Sequence, residues 1–183
     1  MQLTLVSEHG GHLERHDIAR VIEPPGRLLE PEELAALARR IASTPSLWGP
    51  FVRHGIRERG HEQIYLDAHV GVWVITWMPG HDTGLHDHEW SNGGVAVALG
   101  TILEERPRWG MPPRRVEAKA GDTFCLTDTE IHRMVNVSDA PAVTIHAYSP
   151  PIDRMGLYAV DDDGSFRRRS LPWNETLDAS SAV

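Results

Sequence analysis

The chain has 183 residues, 40% of them hydrophobic, and its 18 basic and 26 acidic residues leave a net charge of −8 at pH 7. That length supplies one domain with a sizeable core and is short for two. The acidic balance argues against a phosphate-binding surface, no apolar run nears the roughly 18 residues of a membrane span, and a single cysteine, Cys125, excludes an internal disulfide framework. With a polar N-terminal stretch unlike a signal peptide, the chain reads as cytoplasmic, with neither nucleic acid nor membrane as a partner.

Residues 1–29 are polar and irregular, end in "EPPGR", and read as an N-terminal arm. The segment "EPEELAALARRIAST", residues 30–44, is the clearest helix. Pro31 suits its first turn, Glu32 and Glu33 sit at the positive end of its dipole, and Leu34, Leu37, Ala38 and Ile41 form one apolar face. From Ile64 the pattern changes to period two. "VGVWVITWM", residues 70–78, reads as a strand, and shorter strands are predicted near 95–99, 115–119, 122–126, 132–137 and 142–148. Strands punctuated by Gly, Pro, Asn and Asp in this way indicate an all-β sandwich or barrel. Residues 161–183, with "DDD" beside "RRR", read as a solvated C-terminal tail.

In "GLHDHEWSNGG" the alternation of a strand sends His86 and His88 to one face and Asp87 to the other. Two imidazoles roughly 7 Å apart at the backbone can converge on one metal. Gly80 is separated from His86 by five residues, Gly93 from His88 by four, and Gly100 from Gly93 by six. Gly121 is followed ten residues later by Ile131 and His132, with Asn136 beyond. These spacings resemble the two motifs of the cupin superfamily. The resemblance implies a mostly β fold: a single double-stranded β-barrel, or jelly roll, over residues 30–160, with a short N-terminal helical region. Gly93 stands where many cupins carry a ligand glutamate, so the implied metal site is His86, His88 and His132.

The stretch "AVTIHAYSPP" places Thr144, His146 and Tyr148 on one strand face. Buried together, a hydroxyl, an imidazole and a phenol satisfy one another as a hydrogen-bonded chain. A three-histidine cupin followed by this strand resembles the thiol dioxygenases, the family of cysteine dioxygenase. The resemblance implies Fe(II) on the three histidines and catalytic roles for Tyr148, His146 and Thr144. It also implies a small thiol and O2 as substrates and a sulfinate product. Animal-type members carry a cysteine, cross-linked to the tyrosine, where this chain has Gly93, so the resemblance is to the bacterial type with a free phenol.

Family members hold the substrate carboxylate with an arginine on the strand before the first motif. Here the equivalent place falls near His61 to Gln63, with Arg57 and Arg59 just upstream. Gln63, His61, Tyr65 and Trp77 are therefore the candidate substrate-binding residues, and with Trp73 they suggest a pocket for a larger or less charged thiol. Cys125 is read as inert core, and His54, His69 and His81 as surface or supporting residues. Two other readings stay open: a different metal-dependent cupin enzyme, and a non-catalytic cupin that binds a small molecule.

Overall fold

Helix α1 (Pro31–Ala42) begins as its sequence requires, with Pro31 in the first turn and the Glu33 carboxylate accepting the Glu30 N–H at 3.0 Å. The computed structural model describes residues 18, 21–23, 25–55, 58–108, 110–161 and 164–176. Most of the expected arm, and Arg57, lie outside the described residues. A one-turn helix α2 (Pro45–Trp48) follows α1. The strands are then β1 (Gly60–Leu66), β2 (Gly71–Trp77), β3 (Leu85–Asp87), β4 (Asn92–Leu99), β5 (Thr101–Arg108) and β6 (Met111–Lys119). After them come β7 (Thr123–Leu126), β8 (Arg133–Val135), β9 (Ala142–Ser149), β10 (Arg154–Val160), β11 (Phe166–Pro172) and the short helix α3 (Trp173–Thr176).

A five-stranded antiparallel sheet runs β1-β2-β9-β4-β7, and two three-stranded sheets run β11-β10-β3 and β6-β5-β8. The smaller sheets meet where β3 touches the start of β8, through a bridge between His86 and His132. Period two sorts the large sheet. Val72, Val74, Val143, Ile145 and Ala147 pack with Leu34, Leu37, Ala38 and Ile41 of α1 in one buried cluster. Each of the Val, Leu and Ile side chains contributes about 1.5–3 kcal/mol of burial. The opposite face of β2 and β9 turns Trp73, Trp77, Thr144, His146 and Tyr148 inward. Gly94 lets α1 lie directly on β4, because a Cβ there would stand 2.2 Å from the Leu34 carbonyl carbon.

Two parts of the sequence reading change. Strand β5, "TILEERPR", lacks apolar alternation because it buries two carboxylates, Glu104 and Glu105, at 4% and 5% exposure. The tail expected over 161–183 instead contributes β11, which pairs along the whole of β10. Its arginines are exposed, as the sequence suggests, and Arg168 also binds Asp87 from 81 residues away.

Candidate metal centre

The two histidine motifs meet through their backbones. The His86 N–H bonds to the His132 carbonyl at 2.8 Å, and the His132 N–H returns a bond to the His86 carbonyl at 2.9 Å. Asp87 turns away from its neighbours, as alternation requires, and accepts bonds from Arg168 at 2.8 and 2.9 Å and from the Tyr158 hydroxyl at 2.6 Å. That anchor fixes β3 and leaves His86 and His88 facing inward. His86, His88 and His132 are all buried, and one ring nitrogen from each lies within 4.8 Å of the others.

The free nitrogens of this cluster suit a metal ion. His86 donates Nδ1–H to the Gly84 carbonyl at 3.1 Å, which leaves Nε2 as a lone pair. His132 has Nδ1 3.3 Å from the Glu104 carboxylate, which leaves Nε2 buried without a partner. His88 keeps Nδ1 buried and unpartnered, and its Nε2 lies 3.4 Å from the Tyr148 hydroxyl. Burial lowers all three basicities, His86 to about 4 and His88 and His132 well below the ordinary histidine value. Neutral imidazoles with buried, unpaired nitrogens are a donor set for a divalent transition metal. Glu104 supplies the outer contact that orients such a ligand, and Arg106 clamps it through Nε at 3.0 Å.

Beside the cluster, hydrogen bonds on the inner face of β2 and β9 run in one direction. Trp77 Nε1–H can only donate, and Thr144 Oγ1 receives it at 2.9 Å. The Thr144 hydroxyl then has His146 Nε2 as acceptor at 2.8 Å. Burial holds the His146 imidazole neutral, at about 3, and with Nε2 accepting from the Thr144 hydroxyl its one proton is assigned to Nδ1, 3.0 Å from the Tyr148 oxygen. In that tautomer Tyr148 accepts from behind and directs its own proton forward, toward the histidine cluster, where His88 Nε2 lies 3.4 Å away. Burial also raises its pKa, so the phenol stays protonated.

A cavity of about 50 Å³ opens beside His86, His146 and Tyr148. Arg59 lines it too, 9% exposed, with its guanidinium 5.3 Å over the Trp77 ring and donating to the Asp82 carbonyl. Burial lowers the Arg59 pKa to about 10, which leaves it cationic at neutral pH. Among the described residues no carboxylate forms a salt bridge with it; the Asp82 carboxylate, whose charge favours the cation, is held by Arg133, and a buried cation of this kind attracts an anionic ligand.

The sequence-based set of substrate-binding residues divides. His61 and Trp77 line the cavity, together with Trp73. Gln63 shares their face, but its amide extends to Gly71, outside the cavity lining. Tyr65 is corrected outright. A β-bulge between Gln63 and Tyr65 reverses the alternation, so Tyr65 packs in the α1 cluster with its hydroxyl on Asp67 at 2.9 Å. Cys125 is half-buried, and His54, His69 and His81 lie apart from the three-histidine cluster.

Residues 25–160 match the family model of cysteine dioxygenase type I. The chain belongs to that family. It is 24% identical to cysteine dioxygenase type 1 of Bos taurus over 151 residues, covering 75% of this chain and 74% of that protein. To the Danio rerio protein of the same name it is 28% identical over 133 residues, 66% of this chain and 65% of the relative. Among solved structures, a Thermus thermophilus protein superposes with a TM-score of 0.51 at 14% identity, over 56% of this chain and 93% of its own. A Klebsiella pneumoniae protein with a double-stranded β-helix domain gives 0.50 at 18% identity, over 66% and 91%. At these identities the two structures establish the fold, the double-stranded β-barrel expected from the spacing.

Within this cysteine dioxygenase family member, Gly93 pairs with Tyr148 across β4 and β9. A Cβ at Gly93 would meet Tyr148 Cε1 at 3.3 Å, so the position faces the phenol ring with no side chain to bond to it. Three contributors escaped the sequence reading: Glu104, Arg106 and, from the supposed tail, Trp173 in the cavity wall. Arg59 was in view as an upstream arginine, but no periodicity told which way it points.

Proposed function

We propose that the protein is an Fe(II)-dependent thiol dioxygenase that acts on a small thiol bearing a carboxylate and releases the sulfinate. The observation that carries this reading is convergence: His86, one of three clustered neutral histidines, lines one small cavity together with the buried cation of Arg59 and with Tyr148. The reaction balances without another reductant. The thiolate sulfur loses four electrons, O2 gains them, and both oxygen atoms end on sulfur.

Iron held by His86, His88 and His132 would bring thiolate and O2 together and pass electrons between them. Arg59 pairs with the substrate carboxylate in a forked, charge-assisted contact that sets the direction of the thiol. Tyr148 donates its proton from Oη toward the reacting atoms, while the donor chain from Trp77 through Thr144 and His146 keeps that proton directed outward. Trp77 and the neighbouring apolar lining exclude bulk water. Arg59 supplies the carboxylate partner that residues 61–63 lack, and the small cavity favours a compact acidic thiol over a bulky or uncharged one.

The test is O2 uptake by the Fe(II)-loaded full chain with cysteine, 3-mercaptopropionate and cysteamine. One sulfinate per O2 is expected with the two carboxylates, and slower turnover with cysteamine, which has none. Failure of every thiol to drive O2 uptake or yield sulfinate overturns the proposal. Absence of stoichiometric metal in the purified protein would instead favour a non-catalytic cupin.

A further inference from the structure

The cavity wall includes a residue from beyond the part of the chain that the family model matches, residues 25–160. Strand β11 pairs with β10 from Phe166 opposite Val160 to Pro172 opposite Arg154, which returns the chain to the region of Asp153. There the Trp173 N–H bonds to the Asp153 carbonyl at 3.0 Å, and the Trp173 indole lines the cavity. Its ring centroid lies 4.6 Å from that of Trp73 in an edge-to-face contact and 6.3 Å from that of His61. His61 and Trp73 are themselves 6.3 Å apart, so the three rings form one closed group. Trp173 is half-buried, with the cavity on one side and solvent on the other.

We propose that Trp173 is a specificity-determining residue: with Trp73 and His61 it ends the cavity and limits substrates to thiol carboxylates of two or three carbons. The inference rests on the reading of the site as a thiol dioxygenase and names the size class it takes. The cavity is small, about 50 Å³, and Trp173, Trp73 and His61 all belong to its wall, so a longer chain must displace the wall. An indole held by its own backbone and by the edge of a second indole yields less readily than a flexible aliphatic side chain. A single methylene in an apolar pocket already separates substrates by about 10- to 200-fold.

The experiment compares kcat/KM for 3-mercaptopropionate and 6-mercaptohexanoate on the Fe(II)-loaded full chain, as wild type, Trp173→Ala, Trp173→Leu and Trp173→Phe. The ratio of the long to the short thiol should rise by about tenfold or more in the Ala and Leu variants and stay low with Phe. Because the ratio is taken within one preparation, a loss of folded protein cancels. An unchanged ratio in both Ala and Leu variants overturns the inference even if the wild type oxidises short thiols readily. If no thiol is oxidised, the proposed function falls and calorimetric binding of the same two thiols to the zinc-loaded chain decides about Trp173. The same shift toward the long thiol supports the wall, and an equal preference before and after substitution, or no binding at all, refutes it.

Discussion

Nδ1 of His132 lies 3.3 Å from Oε1 of Glu104, and both side chains are buried. The carboxylate sits on β5, 28 residues before the imidazole it contacts, and Arg106 donates to the same oxygen. Contacts of this kind set the tautomer of a metal-ligating histidine and raise its basicity.

Glu104→Gln should therefore weaken metal binding by about 10- to 100-fold without removing any of the three histidines. Competition with a chelator of known affinity measures this directly, and circular dichroism checks that the barrel persists. Wild-type affinity in the variant would show that the contact is incidental.

Arg59→Met keeps much of the side-chain volume and deletes the charge. For 3-mercaptopropionate, kcat/KM should drop by about a hundredfold, on the order of 3 kcal/mol, mostly through KM. Cysteamine offers no carboxylate and should change by less than about threefold. Equal losses on both thiols would place Arg59 outside substrate binding.

Tyr148→Phe retains the ring that packs 4.8 Å from His88 and loses only the proton at Oη. Turnover should slow by about a hundredfold while metal content stays at the wild-type level. Thr144→Val removes the hydroxyl between Trp77 and His146 and should slow turnover less, since Tyr148 keeps its own proton. Loss of metal from the Phe variant would mean that the phenol serves the ligands rather than the reaction.

Burial alone would raise the Asp87 pKa, but hydrogen bonds from Arg168 and Tyr158 outweigh it and hold the carboxyl at about 2. A depressed carboxylate stabilises the fold above its unfolded pKa, near 3.9, and that contribution disappears as pH falls through the folded value. The arrangement is worth on the order of 2–3 kcal/mol at neutral pH. Arg168→Ala should lower stability at pH 7, with the gap to wild type closing as pH falls from about 4 toward 2. Denaturant titrations across that range measure it, and a gap independent of pH would assign the loss to packing.

Gly93 and Gly94 separate two kinds of crowding. A Cβ at Gly94 meets the α1 backbone at 2.2 Å, whereas one at Gly93 meets side-chain atoms of Leu126 and Tyr148 at 3.3 Å. Gly94→Ala should cost about 3 kcal/mol or prevent folding, and Gly93→Ala about 1 kcal/mol or less. Urea denaturation of the pair tests the order. A reversal would mean that α1 moves off the sheet more easily than Tyr148 shifts.

The sequence alone was enough to find the groups related by local geometry. His86 and His88, and likewise Thr144, His146 and Tyr148, share a face because side chains on a strand alternate, which needs no knowledge of the rest of the fold. The spacing from Gly121 to His132 and the apolar face of α1 were legible for similar reasons.

What only the tertiary structure decided depends on which strands pair, and on irregularities in that pairing. One bulge in β1 sends Tyr65 to the α1 cluster rather than the cavity, against the period-two reading of its strand. Glu104 carries no signal in the sequence, on a strand with no apolar rhythm, and only the pairing of β5 with β8 brings it to His132. Trp173 belonged to an apparent tail until β11 paired with β10. Alternation is a property of one short segment, whereas a carboxylate behind a histidine or an indole across a cavity is a property of two segments that the folded core brings together.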